Sequence, residues 1–437
     1  MDWTETYKER LCTASQAVGQ IKSGDRISIS HAVGEPTHIV NALMENCAQY
    51  KNVEIIHMVP MGESLYAKPG MEPHFWHNAL FVGGSTRDTI KNGHGDYTPC
   101  YFSYVPNLWS KELPLNVAII HVSPPDSHGY CSLGVSVDYS KHAAENAEIV
   151  IAQINKHMPR TLGDCFIHIN QIDYIVEHDA PLIELLPPKI TDVEKAIGEN
   201  CASLIHDGDC LQLGIGAIPD AVLLFLKDKR NLGIHSEMFS DGVVELVETG
   251  VIDNSRKNFH NGQMIATFLM GTKRLYDFAD NNPMVAMYPA SYTNDPFVAG
   301  KNDNLVSINS CVQVDLLGQV CSETIGSTQI SGVGGQVDFV RASAISKGGR
   351  SIIAMPSTAA GGSISKIVPV LDQGAVVTTG RCDVEYVITE YGIANLKYHT
   401  VRDRARMLIR IAHPKFRSKL IEAFENRFNA KYEVMGE

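Results

Sequence analysis

One succession of elements occurs twice along this chain, and that repetition constrains the fold more than any other feature. The first copy opens on Thr13-Ala-Ser-Gln16, which has capping-box spacing, and runs amphipathically to Ile21. A Ser23-Gly24-Asp25 turn, an alternating strand from Arg26 to Ser30, a loop with Pro36, a helix through Leu43 and a strand from Val53 to Met58 follow. The second copy opens on Thr191-Asp-Val-Glu194 and runs as a helix through Leu204 to a turn at Asp207-Gly208-Asp209. It continues as a strand from Cys210 to Leu213, a loop with Pro219, a helix through Leu226 and a strand ending at His235-Ser236-Glu237. Capping boxes and Gly turns are common singly, but the same elements in the same order at similar spacing imply two domains of one ancestry. Prolines from Ala180-Pro181 to Pro187-Pro188-Lys189 interrupt the pattern. The sequence therefore predicts an N-terminal domain over 1–185 and a C-terminal domain over 190–437 that carries Glu237.

Within each half, short apolar runs such as Val117 to Val122, Ile149 to Ala152, Met264 to Leu269 and Ile352 to Met355 alternate with helical patterns. Strands without polar alternation, separated by helices, belong to parallel sheets buried on both faces, so the fold class is α/β with mainly parallel sheets. A periodic, charged stretch from Val401 to Phe428 is broken at His413-Pro414 and predicts a terminal helix pair.

The net charge of −12, the sequence pI near 5.8 and the lack of a Lys/Arg block argue against nucleic-acid or anionic-membrane partners, which require concentrated positive charge. Met1 to Glu5 is acidic and polar where a signal peptide would be basic and then apolar, and no apolar run reaches the ~18 residues of a membrane span. A cytoplasmic protein is expected. The ten cysteines contain no C-x-x-C pair, which favours reduced, buried thiols over a zinc or redox motif.

In open parallel α/β sheets ligands bind beyond the carboxyl ends of the strands, so the loops that follow strands carry the candidate chemistry. In the first half these are His31 to Pro36 and His57-Met58; in the second they are Gly214 to Pro219 and Glu237. Gly214, Ile215, Gly216, Ala217 and Ile218 form a strand-to-helix crossing whose backbone N–H groups suit an anionic ligand, or else a tight structural turn. The third glycine of a dinucleotide fingerprint is missing. Glu237, at a predicted strand end, is either a solvated acid or a catalytic one. Ser331 to Phe339 places Gly334 and Gly335 ahead of Gln336 and a helical run, a second set of backbone donors or a mobile loop. His74-Phe-Trp-His77 has helical metal-ligand spacing without a third ligand, Ser123 to His128 reads as a Pro-stiffened loop rather than a triad, and Cys131 lacks an obvious base. No metal site is predicted.

Together Gly214-Ile-Gly-Ala-Ile-Pro219, the segment ending in Glu237 and Gly334-Gly335-Gln336-Val-Asp338-Phe339 resemble the acetyl-CoA hydrolase/transferase family of CoA transferases, over essentially the whole chain. The resemblance implies two similar α/β/α domains of the CoA transferase-like type with the active site at their interface. It implies that Glu237 attacks an acyl-CoA thioester and then carries CoA as a glutamyl thioester before passing it to a carboxylate such as acetate. The acyl group remains open among acetyl, butyryl and 4-hydroxybutyryl. Gly214 to Ile218 then match the CoA-binding loop, Gly334 and Gly335 the oxyanion donors, and Asn294 a further CoA contact. His31, Met58, Gln212 and Gln336 are assigned to the acyl pocket, where Gln212 or His31 would hold a hydroxyl and Met58 a short alkyl chain. Coenzyme A and acyl-CoA enter as substrates, with no permanently bound cofactor and no metal, and a homodimer is implied. Rival readings are an acyl-CoA hydrolase using the same glutamate, an NAD-linked oxidoreductase and a non-catalytic CoA sensor.

Overall fold

The computed structural model describes residues 3–433, so Met1 and Asp2 of the polar N-terminus lie outside the described residues. The chain divides into two compact units. The first comprises Met1–Leu186, Glu237–Asp241 and Gln263–Asp295; the second comprises Pro187–Ser236, Gly242–Gly262 and Pro296–Glu437.

In the first unit, strands β1 (Arg26–Ile29), β2 (Val53–Ile56), β3 (Phe75–Ala79), β4 (Gly95–Tyr97), β5 (Val117–Val122), β6 (Ile149–Ile154) and β7 (Tyr174–Glu177) form a seven-stranded sheet. Its order is β7-β6-β5-β1-β2-β3-β4, and every pairing is parallel. All six residues of β5 are buried, as a strand covered on both faces requires. Ile27, Ile29, Val117 and Ile119 join Ile39 and Leu43 of helix α1 (Thr37–Glu45) in one core cluster, each such side chain contributing about 1.5–3 kcal/mol by leaving water.

The second unit has strands β8 (Cys210–Leu213), β9 (Gly233–Ile234), β10 (Leu305–Asn309), β11 (Arg350–Ala354), β12 (Tyr386–Thr389) and β13 (Gly392–Asn395). They run in the order β8-β10-β11-β12-β13, with β9 beside β8 and only the β12–β13 pairing antiparallel. Its helices include α2 (Asp192–Ser203), α3 (Ala217–Leu224), α4 (Gln336–Ile345) and the terminal pair α5 (Val401–Ile411) and α6 (Pro414–Phe428). Thr191 and Glu194 close a reciprocal capping box on α2, and Pro414 starts α6 where the sequence pattern breaks. Among the described residues no helix is long and apolar enough to cross a membrane.

The repeat is visible in the strand order. The parallel path β2-β1-β5-β6-β7 of the first unit matches β9-β8-β10-β11-β12 of the second. Arg26 pairs with Glu54 as Cys210 pairs with Gly233. Met58 follows Glu54, and Glu237 follows Gly233, by the same four residues. The two side chains thus occupy equivalent places past equivalent strands.

Four expectations need correction. The C-terminal domain is not a contiguous 190–437 segment that holds Glu237, because Glu237–Asp241 and Gln263–Asp295 pack with the first unit. Short pairings are the cause: Met238–Phe239 runs parallel to Phe268–Leu269, and Met264–Ala266 joins Leu162–Gly163 through Val285–Met287. For the same reason the predicted strand Met264 to Leu269 is two separate pieces. The strand before Glu237 ends at Ile234, since the ladder beyond it is completed by a side chain, with Leu213 N–H donating to Ser236 Oγ and Ser236 Oγ–H to the Leu213 carbonyl. Finally, His74 and His77 flank and occupy β3 rather than a helix, so their spacing does not place them on one face.

Candidate active site

In the first unit the backbone of Glu237 is held from one side by the turn into Phe268. The N–H groups of Thr267 and Phe268 both donate to the Glu237 carbonyl, at 2.9 and 3.2 Å. The Thr267 carbonyl in turn accepts N–H groups from Val137 and Asp138, at 3.1 and 3.2 Å. Asp138 closes the circuit: its carbonyl accepts the Ala290 N–H, and the Ala290 carbonyl accepts the N–H of Asn294 at the end of the Ala290–Thr293 helical turn. These bonds seat two side chains against each other. Asn294 Nδ2 donates to Glu237 Oε2 at 2.7 Å.

Asn294 is fully buried, Glu237 only partly, and Asn294 Oδ1 is buried without a hydrogen-bond partner among the described residues. A neutral amide donor fixes the plane of a carboxylate and gives its second oxygen a defined direction without adding a formal positive charge. When that carboxylate becomes an acyl group and passes through a tetrahedral oxyanion, the same N–H can strengthen its bond to the oxygen that gains charge. The resemblance assigned Asn294 to CoA; the structure places its amide on the acid itself.

His31 and Met58 join this cluster. The His31 N–H donates to Ser136 Oγ, which donates to Asp138 Oδ2 at 2.7 Å. The His31 ring is 2% exposed and packs edge-on to Phe268 at 4.6 Å and to Phe102 at 5.7 Å, with Tyr139 at 5.8 Å. Its Nδ1 lies 3.4 Å from Asp138 Oδ2, out of line for a hydrogen bond, and neither ring nitrogen has a hydrogen-bond partner among the described residues. Met58 is buried, and its N–H reaches Tyr139 Oη at 3.4 Å. Tyr139 Oη–H donates to the Ile29 carbonyl, so one tyrosine braces the ends of β1 and β2. Behind them, His57 Nδ1 lies 2.9 Å from Tyr66 Oη, and burial holds the His57 pKa well below the usual imidazole value.

The loops of the second unit present backbone instead. Gly216 adopts φ +111° as the N-cap of α3, a left-handed conformation that a side chain would strain, and the space beside Gly214 and Gly216 is open. Ile215 between them is 41% exposed. The helix begins at Ala217, ahead of Pro219, whose missing N–H falls among the donors a first turn leaves unpaired anyway. Gly335 is the N-cap of α4, and Gly334 before it has φ +55°. Gln212 and Gln336 are buried in this unit with their amides engaged: Gln212 Oε1 accepts from Asn309 Nδ2 at 3.0 Å, and Gln336 Nε2 donates to Thr379 Oγ1 at 2.9 Å.

The weaker motifs resolve structurally. Asp126 Oδ1 accepts the N–H groups of His128 and Tyr130, and Ser123 Oγ accepts that of Ser132, which makes the Ser123–His128 loop a turn. Burial pushes the Cys131 thiol up to about 12. His74 Nδ1 meets the Tyr50 carbonyl, and among the described residues no group of three or more His, Cys, Asp or Glu is arranged to hold a metal. Ser136, Asp138 and the Thr267-Phe268 turn carry no signal in the sequence. All four bond through backbone or across long separations, which leave no local pattern.

Comparison with known proteins agrees along nearly the whole chain. The N-terminal domain of the acetyl-CoA hydrolase/transferase family matches residues 1–187 and its C-terminal domain matches 271–424. A 4-hydroxybutyrate coenzyme A transferase of Clostridium kluyveri is 64% identical, over 98% of this chain and 100% of that one. Among solved structures, RipA from Yersinia pestis superposes with a TM-score of 0.93 at 37% identity, covering 98% of this chain and all of the other. A 4-hydroxybutyrate CoA-transferase from Porphyromonas gingivalis gives a TM-score of 0.85 at 43% identity over the same shares.

Proposed function

The chain belongs to the acetyl-CoA hydrolase/transferase family and is a CoA transferase, and from that premise we propose that it exchanges CoA between acetyl-CoA and 4-hydroxybutyrate through Glu237, with butyrate as a second acid. The observation that carries the catalytic assignment is the bond from Asn294 Nδ2 to Glu237 Oε2 within a hydrogen-bonded cage. The likeness to the Clostridium kluyveri enzyme supports the choice of acid. A cytoplasmic homodimer fits the same reading.

In this mechanism a Glu237 carboxylate oxygen attacks the thioester carbonyl, the C–S bond breaks and CoA leaves as thiolate. The thiolate attacks the glutamyl carbonyl of the resulting mixed anhydride, expels the acid and leaves CoA on Glu237 as a thioester. The second carboxylate repeats both steps in reverse and departs as the new acyl-CoA. No net proton moves, and one difficult exchange becomes a series of easier ones. Asn294 orients the acid and supplies one oxyanion donor. The backbone N–H groups that open α4 at Gly334 and Gly335 are assigned a second, and the open turn Gly214 to Ile218 is assigned to CoA. Binding of the long CoA moiety supplies energy that drives the thioester into place. His31, whose ring nitrogens have no hydrogen-bond partner among the described residues and sit inside an aromatic cage, reads the hydroxyl of the acid, and Met58 lines its alkyl part.

The test is consumption of acetyl-CoA with and without acceptor. A transferase leaves the thioester almost untouched until 4-hydroxybutyrate or butyrate is added. Equal consumption in buffer alone would mean that water is the acceptor and the protein is a hydrolase.

A further inference from the structure

Four residues, Gly233 to Ser236, lead along the chain directly into Glu237, and the second unit fastens them closely. Gly233 N–H donates to the Asp209 carbonyl and His235 N–H to that of Leu211, at 2.9 and 3.1 Å. Ile234 N–H donates to Asn254 Oδ1 at 3.0 Å, and Asn302 Nδ2 meets His235 Nδ1 at 3.1 Å. The remaining fastening is an unusual one. Lys257, 4% exposed, sends its ammonium under the strand to donate to the Ile234 carbonyl at 2.8 Å.

Two features show that the segment is built around this lysine. A Cβ on Gly233 would lie 2.5 Å from Lys257 Cγ and 2.7 Å from Cδ, so the aliphatic stem crosses the strand where a side chain is missing. The Lys257 backbone is anchored in turn: its N–H donates to the Asn254 carbonyl and its carbonyl accepts from Asn261 Nδ2. Burying an ammonium is costly, and burial lowers its pKa to about 8. A chain that only needed to hold a two-residue strand would not require a charge there. Cys210, whose thiol burial raises to about 11, lies beside it, and Cys210 in turn neighbours Asp209, which is ion-paired to Arg350 at 2.7 Å.

We propose that Lys257 is a positioning residue for the transferase reaction: by fixing the Ile234 carbonyl it sets the path of the segment that delivers Glu237. The proposal rests on the reading of Glu237 as the nucleophile. It assigns Lys257 an effect on kcat rather than on substrate binding, since the residue acts through the strand.

The experiment compares wild type with Lys257→Met, which keeps the stem and removes the ammonium, and with Lys257→Arg. Expected for Lys257→Met is a kcat at least about ten-fold lower, with KM for acetyl-CoA within about two-fold of wild type, undiminished thermal stability, and partial recovery of kcat in Lys257→Arg. The wild-type kcat should fall as pH rises through about 8, where Lys257 loses its proton, and this limb should be missing in Lys257→Met. Unchanged kcat in Lys257→Met, or a limb that persists there, overturns the proposal. Should Lys257→Met not fold, the wild-type profile alone decides, because a kcat flat from pH 7 to about 9.5 is incompatible with a required ammonium of this pKa. Intact mass after mixing with acetyl-CoA separates the two readings. No CoA adduct in wild type would refute Glu237 as nucleophile; adducts forming at equal rates in wild type and Lys257→Met would refute only the role of Lys257.

Discussion

Asn294 Nδ2 and Glu237 Oε2 stand 2.7 Å apart although 57 residues separate them, and one backbone circuit through Asp138 and Thr267 holds both. The amide is the acid's fixed reference point within its unit. Removing it in Asn294→Ala is expected to lower kcat by about 10²-fold, the usual loss for one oxyanion donor, with KM for acyl-CoA little changed. Asn294→Asp tests the same bond with the opposite sign. Two facing carboxylates cannot both ionise easily, so the acid limb of the pH–rate profile should move to higher pH. An Asn294→Asp profile that superimposes on wild type would mean the two side chains do not meet in the working enzyme.

His31 carries the prediction for acyl selectivity. His31→Phe should pack acceptably among Phe102, Phe268 and Tyr139, yet it cannot hydrogen-bond a substrate hydroxyl. Activity with 4-hydroxybutyrate is expected to fall about 10- to 100-fold relative to butyrate, the worth of one such bond to a buried hydroxyl. Equal losses with both acids would remove His31 from the role of hydroxyl reader.

Buried histidines set the acid limit of stability. Burial lowers the pKa of His77 and of His121 to about 4, and His57 is likewise held well below its ordinary value. Between about pH 6.5 and 4 the unfolded chain binds protons that the folded chain refuses. Stability is therefore present above the unfolded pKa and is lost as pH falls, by up to about 1.4 kcal/mol per pH unit for each histidine. Denaturant midpoints at pH 7, 6 and 5 check this, and His77→Gln should flatten the slope. A midpoint constant over that range would contradict it.

Much of the fold was legible in the sequence because it is written locally. Val117 to Val122 is apolar but for His121 and forms β5 with those bounds; Thr191 and Glu194 make the capping box their spacing announces; His413-Pro414 divides the terminal helices. The membership of Glu237 was not legible, because two-residue strands such as Met238–Phe239 and Phe268–Leu269 are too short for any period. Ser236 hid the end of its strand by using a hydroxyl where a backbone group was expected. The repeat still located the acid correctly in another sense, since the pairing registers make Met58 and Glu237 counterparts. Residues that act through long-range bonds, Ser136, Asp138, Thr267 and Lys257, carry no sequence signal beyond their neighbours.

The central claim is that Glu237 carries CoA covalently, and intact-protein mass tests it most directly. Mixed with acetyl-CoA in the absence of an acceptor, wild type is predicted to gain one CoA-sized adduct that borohydride reduces at Glu237 and that 4-hydroxybutyrate discharges. Glu237→Ala should gain none. A protein whose mass stays that of the bare chain in acetyl-CoA alone, yet which transfers CoA once 4-hydroxybutyrate is added, would contradict the account.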